Sequence, residues 1–161
     1  SNPDNEGFSI QTGEQRSQGV ELEVTGQLSD AWRVISSLSY LDAEITQDNN
    51  FEEGNELPNA PDVSGSFWTV YDFQNRPLAG LSIGGGIFFA DDRAGDLSNT
   101  FTVDSYERVD LFAQYAISDD LRLKVNANNI FDEEFIKASQ SRTEIVPGAP
   151  AQVFARLEYD F

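Results

Sequence analysis

Cysteine, histidine and methionine are all absent from the 161 residues. Without cysteine there is no disulfide, no thiolate metal site and no cysteine nucleophile. Without histidine the commonest general base and the commonest zinc ligand are gone, and a Ser-His-Asp triad cannot be assembled. The lack of methionine even at position 1 predicts a processed chain or a fragment, and no apolar stretch near the N-terminus has the form of a signal peptide. Basic residues are also scarce: 10 Lys and Arg against 28 Asp and Glu, for a net charge of −18. Such a chain repels phosphate backbones, which argues against nucleic acid as a partner. No run approaches 18 consecutive apolar residues, so a transmembrane helix is excluded. A membrane β-barrel is not excluded, because its strands need only alternate over about ten residues.

High charge and low hydropathy raise the prospect of disorder. The aromatics argue against it: 12 Phe, 5 Tyr and 2 Trp fall at regular places. The dominant pattern has period 2. Val20, Leu22, Val24, Gly26 and Leu28 alternate with Glu21, Glu23, Thr25 and Gln27. In a strand this separates an oily face from a wet one. Trp32, Val34, Leu38 and Tyr40 open a second strand, in which Ile35 breaks the alternation and Ser36 falls on the oily side. A third strand over Val63–Phe73 has ambiguous parity: Phe67, Tyr71 and Phe73 point one way, Trp68 and Val70 the other. Leu81–Ala90 makes a fourth. Three cleaner strands follow, carried by Val109–Ile117, Leu121–Ala127 and Val153–Phe161, with Phe154 out of phase in the last.

The connections alternate in length. Residues 29–31, 74–80 and 118–120 are short, whereas 46–61, 91–105 and 132–150 are long. Transmembrane barrels have this asymmetry, with short periplasmic turns and longer extracellular loops. Strands of about 9–13 residues match a tilted crossing of a bilayer. Residues 1–14 are then expected to be the tail of another outer loop. The charged face (Glu21, Glu23, Arg108, Asp110, Arg122, Lys124, Arg156, Glu158) should line an aqueous lumen, with Asp110 pairing across strands to Arg122 or Lys124. Trp32, Tyr40, Trp68, Tyr71, Tyr106, Tyr115, Tyr159 and Phe161 are expected in the interfacial girdles. The fold class that follows is an all-β, antiparallel, up-and-down transmembrane β-barrel segment of about seven strands.

Several motifs carry a family resemblance. They are Arg16-Ser17-Gln18-Gly19-Val20-Glu21-Leu22-Glu23, Ser39-Tyr40-Leu41-Asp42-Ala43, Leu57-Pro58-Asn59-Ala60-Pro61, Asn126-Ala127-Asn128-Asn129-Ile130-Phe131-Asp132, Pro147-Gly148-Ala149-Pro150, and the alternating end Val153-x-Ala155-x-Leu157-x-Tyr159-x-Phe161. In this order they resemble the C-terminal part of the barrel of TonB-dependent outer-membrane receptors of the ferric-siderophore type. The resemblance covers nearly all of residues 1–161. It implies a 22-stranded barrel with an N-terminal plug, importing ferric chelates into a Gram-negative bacterium with energy delivered through TonB. The implied partners are outer-membrane lipid, the upstream strands and plug, TonB, and the barrel assembly machinery through the Phe161 strand. The plug lies outside this sequence, and seven strands cannot close a pore, so transport by this chain alone is not expected.

Several residue clusters have a plainer reading beside the functional one. Asp42, Glu44, Asp48, Glu52, Glu53 and Glu56, with no Lys or Arg from Val34 to Asn75, could form a Ca²⁺ or cationic-ligand loop, but the spacing is not that of an EF-hand and a solvated acidic loop is the favoured reading. Asp91, Asp92 and Asp96 are read the same way. Gly84-Gly85-Gly86 lies mid-strand, where close packing or a bend is the reading rather than a phosphate loop. Glu133-Glu134 is an accidental acidic pair rather than an acid–base couple. No catalytic, cofactor-binding or metal residue is assigned, and the protein is not read as an enzyme. Arg93, Phe101, Tyr106 and Arg142 are the loop residues suited to touch a ferric chelate, the cargo of the full receptor, although no motif fixes them as ligand contacts. The competing function is a soluble all-β binding or interaction module, in which Val20, Leu22, Leu111, Leu123 and Leu157 would bury against a second sheet.

Overall fold

The computed structural model describes residues 13–161, within which there is no helix. The eleven strands are β1 (Gly13–Ser29), β2 (Trp32–Asp48), β3 (Val63–Asp72), β4 (Leu81–Ala90), β5 (Arg93–Ala94), β6 (Thr102–Val103), β7 (Tyr106–Ala116), β8 (Leu121–Asn128), β9 (Ile136–Ser141), β10 (Glu144–Pro147) and β11 (Gln152–Tyr159). Seven of them form one sheet in the order β1-β2-β3-β4-β7-β8-β11, every pair antiparallel. This is the up-and-down meander expected from the alternation. Two small hairpins, β5-β6 and β9-β10, stand inside the second and third long connections. Of the expected outer-loop tail at 1–14, only Gly13 and Glu14 lie within the described residues, and they open β1.

Register assembles one continuous apolar face. Directly opposed residues in an antiparallel pair share a face. Leu22 faces Leu38, Phe67 faces Ile87, Ala113 faces Val125, and Leu123 faces Leu157. The opposite face carries Glu23 against Ser37, Gln114 against Lys124, and Lys124 against Arg156. The apolar side is the more exposed: Leu22 is 59% and Leu157 64% exposed, while the side chains of Lys124 and Glu158 on the polar side are each 30% exposed. The sheet therefore turns its oily face outward and its polar face into the concavity. A soluble module requires the reverse, and no second sheet among the described residues covers Leu22 or Leu157.

Residue identity at β4 settles the parity of β3. Trp68 stands opposite Gly86 and Val70 opposite Gly84, both on the concave side. A side chain at Gly86 would collide with the Trp68 indole, and one at Gly84 would meet Val70 Cγ2 at 2.9 Å and Thr69 O at 2.6 Å. The glycines are the space into which two large side chains turn inward. Phe67 and Tyr71 are left on the outer face. Trp68 is accordingly not a girdle residue, and it packs at 6.4 Å from the Phe88 ring.

β1 and β2 run 17 residues each, longer than expected, and narrow the first long loop to 49–62. The extension follows from a change of solvent along the strand. Below Val20 and Tyr40 the outward face is apolar; above them it carries Arg16, Gln18, Asp42 and Glu44. Arg16 pairs with Glu44 at 2.7 Å and Asp42 at 3.3 Å, and Gln18 donates to Asp42 at 3.0 Å. From Val20 to Leu28 is nine residues, the length of one tilted crossing. The acidic top of the ribbon reads as loop in the sequence because the period-2 signal changes from apolar–polar to polar–polar there.

Candidate ligand-facing site

Above the sheet, the three long connections fold onto one another around a small buried core. Ala43, Ile45, Ala90, Ala94 and Val103 are its buried apolar residues, and Arg93, Asp110, Asn129 and Ser139 its buried polar ones. Buried polar groups need partners, and most find them across loops here, Arg93 Nη1 being an exception. The Asn59 amide donates to Ser139 O at 2.7 Å while its oxygen accepts from Ser139 N at 2.7 Å. Ser139 Oγ donates to Gly95 O at 2.7 Å. Asn99 makes the same reciprocal pair with the Glu56 backbone, both bonds 2.9 Å. Asn129, 1% exposed, donates from Nδ2 to Glu133 O and Ala149 O, accepts from Glu133 N, and gives its own amide to Asp110 at 2.8 Å. Asn59 (φ 64°), Asn99 (51°) and Asn129 (52°) all sit in the left-handed region, which asparagine tolerates better than other non-glycine residues. The asparagines within the motif segments 57–61 and 126–132 thus serve as pins. The motifs alone do not reveal this role; an Asn beside a turn is the signal the sequence carries.

The loop residues suited to touch a chelate are mostly occupied. Arg93 is 5% exposed, donates to Ile136 O at 2.6 Å, and lies 5.9 Å from the centroid of Tyr106. Tyr106 stacks on Phe135 at 4.3 Å, inside the loop layer rather than in a girdle. Arg142 lies over Phe101 at 5.3 Å and donates to Thr100 O. Phe101 in turn covers Gly95, leaving no room for a side chain there. In the second loop, Asp96 accepts from the hydroxyl of Thr100 at 2.5 Å and from its amide at 2.8 Å. These bonds hold its carboxyl below the usual carboxylate range, with the Arg142 charge adding to them. Three acids of the first acidic segment, all at the end of β2, are also engaged: Asp42 and Glu44 by Arg16, Asp48 by the amides of Asn50 and Phe51. Among the described residues no three metal-ligating side chains converge.

On the concave wall the ion pairs differ from those expected. Asp110 binds Arg108 at 3.1 Å and the Asn129 amide, not Arg122 or Lys124. In the β7-β8 register Arg122 opposes Ala116, six residues from Asp110, so the two are out of reach. Arg122 instead engages Asp160, and Lys124 engages Glu158 at 2.8 Å. Arg108 also covers the Phe88 ring at 4.6 Å. Beneath the loop layer the concave side holds a hollow of about 520 Å³. Glu21, Glu23, Ser39 and Ser66 line it from the wall, and Arg93 and Lys137 from the loops. Its lining is thus polar, with carboxylates and hydroxyls on the wall and cationic groups above.

Residues 1–130 match the family model described as TonB dependent receptor-like, beta-barrel. The chain belongs to the TonB-dependent receptor barrel family. It is 37% identical over 160 residues to the metal-pseudopaline receptor CntO of Pseudomonas aeruginosa, covering 99% of this chain and 23% of that protein. It is 33% identical to the ferrichrome outer membrane transporter/phage receptor of Escherichia coli, covering 99% of this chain and 22% of that protein. The crystal structure of the siderophore receptor PiuA from Acinetobacter baumannii superposes with a TM-score of 0.80 at 28% identity, over 91% of this chain and 22% of that one. The chain therefore spans under a quarter of the length of these relatives. TonB-dependent receptor barrels reside in the Gram-negative outer membrane, which gives the exposed apolar face its solvent.

Proposed function

We propose that this chain is the C-terminal part of an outer-membrane receptor that imports metal chelates, with ferric siderophores as the cargo and TonB as the energy source. The observation that carries the reading is the inverted polarity of the sheet: an exposed oily convex face and an ion-paired concave face. Such a wall encloses water and excludes lipid, as a transport lumen requires. The polar hollow beneath the loops supports entry of a polar cargo from the outer side. The printed names of the relatives, a metal-pseudopaline receptor and a ferrichrome transporter, support a metal chelate as the class. The upstream strands and a plug belong to the rest of the parent receptor, which β1 and β11 would join at their free edges. The last strand, ending in Phe161, is the segment offered to the barrel assembly machinery.

The test is uptake of radiolabelled metal chelates by cells that carry the full-length receptor and lack other receptors of this kind. Uptake of a ferric siderophore that disappears when TonB is deleted is the expected result. Uptake of a non-ferric chelate alone would overturn the ferric assignment, and uptake indifferent to TonB would overturn the energy source. The seven-stranded piece expressed by itself should import nothing.

A further inference from the structure

The bilayer-facing side of the sheet is not uniformly convex. A groove of about 620 Å³ crosses β3, β4, β7 and β8. Its floor is made of small residues, Gly85, Ala113 and Ala127, and its rim of Trp32, Tyr71 and Leu111. The register explains it. One row reads Thr69, Gly85, Leu111, Ala127 and the next Tyr71, Ile83, Ala113, Val125, so large and small residues alternate diagonally.

Two facts limit what the groove can hold. First, the polar side-chain groups of Trp32 and Thr69 are mutually satisfied: Trp32 Nε1 donates to Thr69 Oγ1 at 2.6 Å, and Thr69 Oγ1 donates to Arg33 O at 3.2 Å. Little is left to hydrogen-bond a ligand, so the occupant is hydrocarbon. Secondly, the groove continues the apolar face that the family places in the bilayer. Trp32 begins β2 and Tyr71 nearly ends β3, both at the short-turn, periplasmic end of the sheet. A polar headgroup would lie beside these aromatics, and its chain would run up the groove toward Ala127.

We infer that this groove is a binding site for one acyl chain of a periplasmic-leaflet phospholipid. The inference rests on the membrane placement of the receptor and goes beyond transport. Hydrocarbon that fills a gap between fixed side chains regains contacts that a loosely ordered annulus of lipid does not make.

The test uses the full-length receptor and its Ala113→Leu/Ala127→Leu variant, which fills the floor with apolar bulk suited to the lipid face. Both are placed in nanodiscs of phospholipid brominated along the acyl chain. Quenching at Trp32 is read as the difference from matched Trp32→Phe proteins. Phospholipid retained through delipidating detergent is counted by native mass spectrometry. Retention of a phospholipid by the wild type and its loss from the filled variant, with weakened Trp32 quenching, is the expected result. Equal quenching and equal lipid counts in both proteins would overturn the site while leaving the membrane placement intact. Absence of Trp32 quenching in either protein would instead overturn the placement. A wild-type dimer that the filled variant disperses would assign the groove to a second copy and overturn the lipid.

Discussion

The loop layer and the barrel wall solve the folding problem in opposite ways. In the loop layer, Ile45, Val103, Asn129 and Ser139 are almost wholly buried, and polar side chains close reciprocal bonds between segments up to 80 residues apart. In the wall, few side chains are buried and many large apolar ones, Leu22, Phe67 and Leu157 among them, are exposed. Order in the wall comes from the backbone ladder and from having a different solvent on each side. The same chain thus follows the soluble rule at one end and the membrane rule at the other, with the boundary near Val20, Tyr40 and Val63. The lesson is that exposure and burial have no fixed meaning for such a chain until the solvent on each face is known.

The strongest challenge to this comparison is a charge on the lipid side of the wall. Val24→Arg, in the middle of the apolar band of β1, should cost about 2–4 kcal/mol in reversible unfolding of the full receptor from lipid bilayers. The adjacent Glu23→Arg, on the concave side, should cost much less; equal losses would refute the assignment of faces. Next comes Asn129→Ala, which strips partners from Glu133 N and two carbonyls. About 1–3 kcal/mol per unsatisfied group is at stake, and hydrogen exchange should quicken in 129–151 while the β3-β4 ladder stays protected. Exchange that quickens uniformly would show that loops and wall are one cooperative unit. A smaller effect is expected from Lys124→Gln, because the ion pair with Glu158 lies on the water-filled side: within about 1 kcal/mol, and weaker in high salt. The mildest is the acid response of Asp96. Its carboxyl pKa is lowered in the folded state, so its bonds to Thr100 are fully present above the ordinary value of 3.8 and are lost as pH falls through the lower folded value. Exchange at the Thr100 amide should rise only in that acid range, and Asp96→Asn should abolish the dependence.

Much of the wall was legible because alternation is a direct consequence of two solvents. The seven strands, the short turns and the identity of the oily face all follow from it. What escaped were features set by partners distant in sequence. The inward turn of Trp68 depends on Gly86, and the companion of Asp110 depends on the β7-β8 register. The hairpins β5-β6 and β9-β10 are too short and polar to carry a periodic signal. In the loop layer the sequence offered charged and aromatic residues as ligand contacts. No motif singles out any of them, and their bonds to neighbouring loops, such as Arg93 to Ile136 O and Arg142 over Phe101, depend on partners distant in sequence.

The reciprocal asparagine pairs have a practical consequence for exchanging specificity between receptors. Segments 49–62, 91–105 and 129–151 each complete a neighbour's backbone, so a graft of any one would leave half a clasp behind. They should be transplanted as a single cassette, with Asn59, Asn99 and Ser139 travelling together.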